Sequence, residues 1–181
     1  MEASALWRTL YAPGHDSARV IAADNGWRLE GHAVFDRDGL ACAVHYSVDV
    51  DENWRALSGR LRGHLGTSAI AHDIARDGDT WRLDGMPITA VNGLLDLDFG
   101  FTPATNFQQV RRMNLRDGER ADIAVAWFDI GETKLTALAQ HYERRDAAHY
   151  WYTSPTGYEA TLVLAENGFV RQYPELWTMI R

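Results

Sequence analysis

The sequence predicts an all-β protein: a single domain over residues 1–181, built as one many-stranded antiparallel sheet that curls into a barrel, half-barrel or rolled sheet, with little helix. Three observations predict it. The first is punctuation by turn signals: DNG at 24–26, RDG at 37–39, RDGD at 76–79, LDG at 83–85, VNG at 91–93, RDG at 116–118, DIG at 129–131, PTG at 155–157 and ENG at 166–168. Asn-Gly and Asp-Gly favour the positive φ angles that tight hairpins need. The second is a period of two between the turns, the pattern of strands with one buried face. The third is number: about thirteen strands in one meander exceed what a strongly twisted sheet holds without curling, and curled sheets often enclose a cavity.

Taken in order, GHDS at 14–17 reads as a loop leading into the strand SARVIAA. Trp27, Leu29, Gly31, Ala33 and Phe35 then alternate with Arg28, Glu30 and His32, and Val44, Tyr46, Val48 and Val50 alternate with His45, Ser47 and Asp49. GWRLEG at 26–31 and TWRLDG at 80–85 read as one hairpin solution used twice. Leu97, Phe99 and Phe101 face away from Asp96, Asp98 and Gly100. The stretch TPATN at 102–106 reads as a corner, because Pro103 cannot donate to a strand ladder and the hydroxyls of Thr102 and Thr105 can bond exposed backbone groups. A strand is expected to return over 107–113, with Phe107, Gln109, Arg111 and Met113 on one face and Arg112 on the other. Ala121, Ile123, Val125 and Trp127 form one strand face, and Tyr158, Ala160, Leu162 and Leu164 another. KLTALAQHYERR at 134–145 consists of good helix formers, yet its residues also alternate. The strand is preferred because its surroundings are β and propensity is a weak prior. The tail YPELWTMIR predicts one short turn of helix after Pro174.

A chain of 181 residues buries roughly 70% of its unfolded surface and needs no disulfide or metal to keep a core. The lone Cys42 sits in a strand-like run and reads as packing. The net charge is −7, and 18 basic residues are scattered among 25 acidic ones, which argues against a nucleic-acid face. MEASALWRTLY lacks a basic segment followed by an apolar run, and no stretch approaches the ~20 apolar residues of a spanning helix. The expectation is a cytoplasmic protein without an integral membrane segment.

Catalytic and metal motifs are sparse. The seven histidines form no HxH, HxxxH or HExxH, and there is no CxxC, so no metal and no cofactor are expected. His15, Asp16 and Ser17 are consecutive, whereas a triad is set by spatial geometry; no GxSxG is present. Asp96 and Asp98 share a strand face roughly 7 Å apart, a separation that suits a glycosidase pair. The plainer reading is a structural pairing of these carboxylates with Arg111 or Arg112. An arginine on a mainly apolar face needs an acidic partner or an anionic ligand, and Arg111 is placed on such a face.

GHDSAR, GWRLEG, VDVDENWR, TWRLDG, DLDFGFTPATNFQQVRR and the closing YPELW together resemble the putative glycolipid-binding family of bacterial proteins, in matching order from about Trp7 to Trp177. The resemblance implies a rolled antiparallel half-barrel similar to lipoprotein-carrier folds, and a capacity to hold an amphiphile. The expected function is therefore non-enzymatic binding of a lipid or glycolipid in the concave face. Phe99, Phe101, Trp127, Tyr142 and Leu162 are expected to form the apolar body of the site, with Asn106, Arg111, Arg112 and His15 at its rim. Two alternatives stay open: a hydrolase using Asp96, Asp98 or His15, and a ligand-free structural module filled by its own side chains.

Overall fold

The computed structural model describes residues 2–181 and is all-β, with one short helix and a single fifteen-stranded sheet that is not closed into a barrel. One wing consists of β1 (Ala3–Thr9), β2 (Gly14–Ala23), β3 (Gly26–Arg37), β4 (Leu40–Asp51), β5 (Ala56–Leu65), β6 (Ser68–Asp77), β7 (Thr80–Leu83) and β8 (Met86–Pro87). The other consists of β9 (Leu97–Phe99), β10 (Arg120–Phe128), β11 (Thr136–Arg144), β12 (His149–Thr153), β13 (Glu159–Leu164), β14 (Val170–Tyr173) and β15 (Trp177–Met179). The wings join where the two ends of the chain pair, with Trp7 opposite Met179 and Thr9 opposite Trp177. β8 and β9 are left as the two outer edges.

The glycine of each of the nine turn signals has a positive φ; Gly66, between β5 and β6, is a tenth that its neighbours Leu65 and Thr67 do not announce. The alternation becomes burial directly. Along β4, Cys42, Val44, Tyr46, Val48 and Val50 are buried, while the residues between them are not. The stretch 134–145 is a strand, β11, as its surroundings favour. Cross-strand pairs such as Arg28–Asp49 and Arg19–Glu30 lie on the exposed face, where each adds at most about 1 kcal/mol.

Four local expectations change. Residues 107–113 do not return as a strand: Asn106–Met113 is the helix α1, closed by Asn114 in the left-handed region at φ 44°. The sheet is consequently not wholly antiparallel, because β9 and β10 run parallel, with Leu97 opposite Ala126 and Phe99 opposite Phe128. Parallel neighbours need a crossover, and α1 lies within it. GHDS is not a loop, since β2 already starts at Gly14. After Pro174 the chain makes a tight turn with Glu175 at φ 65° and re-enters the sheet as β15; it forms no helical turn.

The concave side is not an open basin either. Residues 101–110 are all buried, so the TPATN corner and most of α1 run through the middle of the curled sheet as an internal plug. Phe101 stacks with Phe35 of β3 and meets Tyr46 of β4 edge-on, and Phe107 packs between Trp54 and Phe169. Phe169 in turn meets Trp7, which joins the plug to the seam between the wings. Each fully buried ring of this kind contributes about 1.5–3 kcal/mol. The plug also covers the edge of β9: the Phe99 N–H donates to Thr105 Oγ1 at 3.2 Å, and the Leu97 carbonyl accepts from Gln108 Nε2. An edge strand covered in this way cannot recruit another chain. At the rim, Arg37 pairs with Asp129 and donates to the Ile130 carbonyl at 2.9 Å, latching β3 to the end of β10.

β5 and β9 approach tightly at Gly59, where an added Cβ would stand 2.3 Å from Leu97 Cδ2 and 3.3 Å from Phe99 Cζ. Gly59→Ala is expected to push β9 off β5 and cost about 1–3 kcal/mol, read as a lower urea midpoint. An unchanged midpoint would mean that Leu97 has room to swing aside.

Candidate functional site

A cleft of about 290 Å³ opens beside the plug, between the β9 corner and strands β12 to β15. Its floor holds Asp98, Thr102 and Asn106, and its walls are aromatic: Trp127, Tyr152, Tyr158, Tyr173 and Trp177. Leu138 and Leu176 add aliphatic surface, and Ser154 and Thr156 stand with them along the cleft. Tyr152, Tyr158 and Tyr173 pack on one another, and Tyr173 packs on Trp177. Trp177 carries a buried indole N–H with no hydrogen-bond partner.

The floor is a network of neutral donors around carboxylates. Asp98 accepts from Thr105 Oγ1 at 2.6 Å and from Gln140 Nε2 at 2.8 Å, and among the described residues it has no ion-pair partner. Burial raises the Asp98 carboxyl above its ordinary range, against the pull of these hydrogen bonds. Asn106 Nδ2 donates to the Tyr142 hydroxyl at 2.9 Å, and that hydroxyl donates to Gln109 Oε1 at 2.7 Å. Burial pushes the Tyr152 phenol up to about 12, with the nearby Asp98 charge adding to it, so at neutral pH this hydroxyl is a neutral donor. Thr105 is the residue before the helix, yet it makes no side-chain cap, because its hydroxyl is committed to Asp98 and Phe99.

Behind Thr102 lies Asp16 of β2, which is 1% exposed. Its carboxyl receives the Tyr46 hydroxyl at 2.9 Å and the Thr102 hydroxyl, while Tyr46 and Thr102 stand 3.0 Å apart. Three oxygen groups in a triangle have three edges, and two hydroxyl protons serve only two of them. A proton on Asp16 completes the third, in keeping with a carboxyl that burial raises to about 7.

The sequence-named residues fall into separate places. Asp98, Phe99, Asn106 and Trp127 line the cleft, and Tyr142 lies beneath it, bonded to Asn106. Phe101 and Leu162 are core residues, at 1% and 0% exposure. His15 and Ser17 are exposed on the outer face of β2 while Asp16 points inward, since neighbouring strand residues face opposite ways. That separates the three residues that looked like a triad and takes His15 away from the cleft. Arg112 is bound bidentately to the buried Asp96, at 2.7 and 2.6 Å, so neither is a free ligand anchor. Arg111 lies toward the opposite end of α1 and does not line the cleft. The walls from Tyr152 to Trp177 and the inward Asp16 escaped sequence reasoning. The one local hint was the aromatic density of HYWYTSPTGY and YPELW.

Fold and cleft together define an all-β protein whose open sheet wraps an uncharged polar plug and leaves a small aromatic pocket beside it. The chain belongs to the putative glycolipid-binding family, whose model matches residues 4–179. It is similar to the crystal structure of a DUF1089 family protein from Pseudomonas aeruginosa, with 28% sequence identity and a TM-score of 0.78 over 90% of this chain and 91% of that one. No curated protein matches it. Among the described residues no helix is long and apolar enough to cross a membrane.

The Asp16 triangle has a pH signature. Between the ordinary carboxyl value of 3.8 and about 7, the folded chain holds a proton at Asp16 that the unfolded chain has released. Stability from this group therefore falls as pH rises through that window and levels off above it. Asp16→Asn is expected to make the fall in urea midpoint between pH 5 and pH 7 shallower. Equal slopes in both proteins would place the titration elsewhere.

Proposed function

We propose that the protein binds, without chemistry, the neutral sugar head group of an amphiphile in the cleft beside the plug, leaving the apolar tail near Leu138 and Leu176. The observation that carries this reading is the joining of flat aromatic walls to a buried carboxylate and amide on the floor. Aromatic faces pack against the C–H faces of a sugar ring, and fixed polar groups such as Asp98 and Asn106 take its hydroxyls. Pockets that pair broad apolar lining with a few polar anchors are the usual form of small-molecule sites. A volume of about 290 Å³ fits a head group better than a whole lipid. The family's name points toward glycolipids, which agrees with this reading.

Among the described residues Asp98 is the one acidic residue lining the cleft. Glycoside hydrolysis ordinarily uses two carboxylates flanking the bond, and Asp96 is occupied by Arg112. This supports binding over hydrolysis.

The test is calorimetric titration and tryptophan fluorescence with octyl glucoside below its micelle threshold, with octanoate and free glucose as controls. The glucoside is expected to bind more tightly than octanoate. Trp127→Ala and Asp98→Asn are each expected to weaken it about tenfold, through lost ring contact and a lost charged acceptor. Octanoate binding as well as the glucoside would remove the sugar from the proposal. No binding of either would leave the plugged sheet as a structural module, and turnover of nitrophenyl glycosides that disappears in Asp98→Asn would favour the hydrolase.

A further inference from the structure

A second cavity, of about 350 Å³, lies toward the C-terminal end of α1, walled by Val110, Arg111, Tyr150, Leu164 and Gly168, with Arg144 and Glu166 also lining it. It shares no lining residue with the aromatic cleft. Arg111 is half-buried, and among the described residues none of its N–H groups donates to a protein acceptor and no carboxylate pairs with it. Its guanidinium lies over the Phe107 ring, 5.1 Å from the centroid, and close against Gly168, where an added Cβ would stand 2.6 Å from Nη2. Its neighbour Arg112 shows the ordinary solution for an arginine in this interior, a bidentate carboxylate.

Arg144 is fixed on the same cavity from β11. Its Nη1 donates to the Leu115 carbonyl at 2.7 Å, and its Nε lies 2.8 Å from Asp117 Oδ1. The same Nε donates to the Asp146 carbonyl at 3.1 Å, and the guanidinium lies against the Tyr150 hydroxyl. The Arg144 guanidinium also stands 5.8 Å from the Tyr150 ring centroid. Both guanidinium charges bear on the Tyr150 phenol, pulling it down against the burial that raises it. Two guanidinium groups and a phenol thus converge on one concavity, with a single carboxylate, Glu166, among its lining residues.

We propose that this cavity is a binding site for a phosphate-type oxyanion, taken up by the Arg111 guanidinium, with the Arg144 charge and the Tyr150 hydroxyl beside it. Guanidinium forks match tetrahedral oxyanions bidentately, and such charge-assisted hydrogen bonds are the strong ones. Arg144 is held in place before the ligand arrives, and Phe107 and Gly168 confine Arg111, so little ordering is left for binding to impose. The site is independent of the sugar reading: Arg111 works here rather than at the cleft, and either proposal can fail alone. The oxyanion has two sources, a soluble phosphate ester or the head group of an anionic lipid.

The experiment compares the full chain with Arg111→Gln, Arg111→Lys and Arg144→Gln. Each is titrated by calorimetry with inorganic phosphate and with glucose 6-phosphate, using sodium chloride at matched ionic strength as the blank. Each is also floated with phosphatidylcholine vesicles containing or lacking phosphatidylglycerol. Binding of a phosphate compound is expected to weaken about tenfold in Arg111→Gln, and less in Arg111→Lys, which retains charge but loses the fork. Because Arg111 has no hydrogen-bond or carboxylate partner among the described residues and loses only its contact with the Phe107 ring, this variant is expected to stay close to the parent urea midpoint, so its loss of binding is not a loss of folding. Binding of the soluble phosphates identifies a free ester, and flotation only with phosphatidylglycerol identifies a lipid source; either response must be lost in Arg111→Gln. Phosphate effects equal to those of chloride, or binding undiminished in Arg111→Gln, would overturn the site.

Discussion

The hydrogen bonds of three short side chains in the plug, Thr102, Thr105 and Asn106, set the arrangement of the rest of the molecule. Thr102 reaches Asp16 and Tyr46 in one wing. Thr105 binds Asp98 on the outermost strand of the other wing, and Asn106 binds Tyr142 on β11. Burying an uncharged polar group without a partner costs about 1–3 kcal/mol, so each of these contacts restricts where the wings can stand. A curled sheet filled with aliphatic side chains alone would leave the distance between its wings less defined. Here the hydroxyls and amides specify it, and the stacked rings of Phe35, Phe101, Phe107 and Phe169 fill the remaining space.

The same network explains why the cleft has its composition. The carboxylates that bind the plug are surrounded by neutral donors, so burial raises both Asp16 and Asp98. Asp16 is sealed behind Thr102, whereas Asp98 faces the cleft that the plug leaves open toward β12–β15. A few polar atoms remain without partners: Gln108 Oε1, Gln109 Nε2 and Trp177 Nε1. Two lie on the helix that covers the β9 edge, and the third belongs to a cleft wall. Arg111 and Arg112 show how strongly position controls fate. Adjacent helical residues diverge by about 100°, and one guanidinium meets the buried Asp96 while the other faces a cavity and, among the described residues, pairs with no carboxylate.

Much of the fold was legible because strands and turns are announced locally. The nine Asn-, Asp- or Thr-containing glycine turns all carry a positive φ at glycine, and alternation along β3 and β4 became the inward and outward faces of the sheet. The stretch 134–145 followed its β surroundings against its own helix propensity. The helix α1 was missed because it is only eight residues long, so the spacing of Phe107, Gln109, Arg111 and Met113 reads as strand alternation as readily as a helical period, and the strands around it favoured the former. The available signals were the Thr-Pro pair before it, the arginines in its last turn and Asn114, which caps it in the left-handed region.

By itself, then, the sequence determined the class of structure, the places where the chain turns, and which face of most strands lies inside, because those properties depend on neighbours two to four residues away. Only the tertiary structure decided that TPATN is an internal plug, that Asp16 rather than His15 faces inward beside it, and that the two arginines occupy different sites. Those outcomes depend on contacts such as Asp16 with Thr102, 86 residues apart in the chain. A buried polar residue and an exposed one have the same letter in the sequence, and only the packed partner distinguishes them.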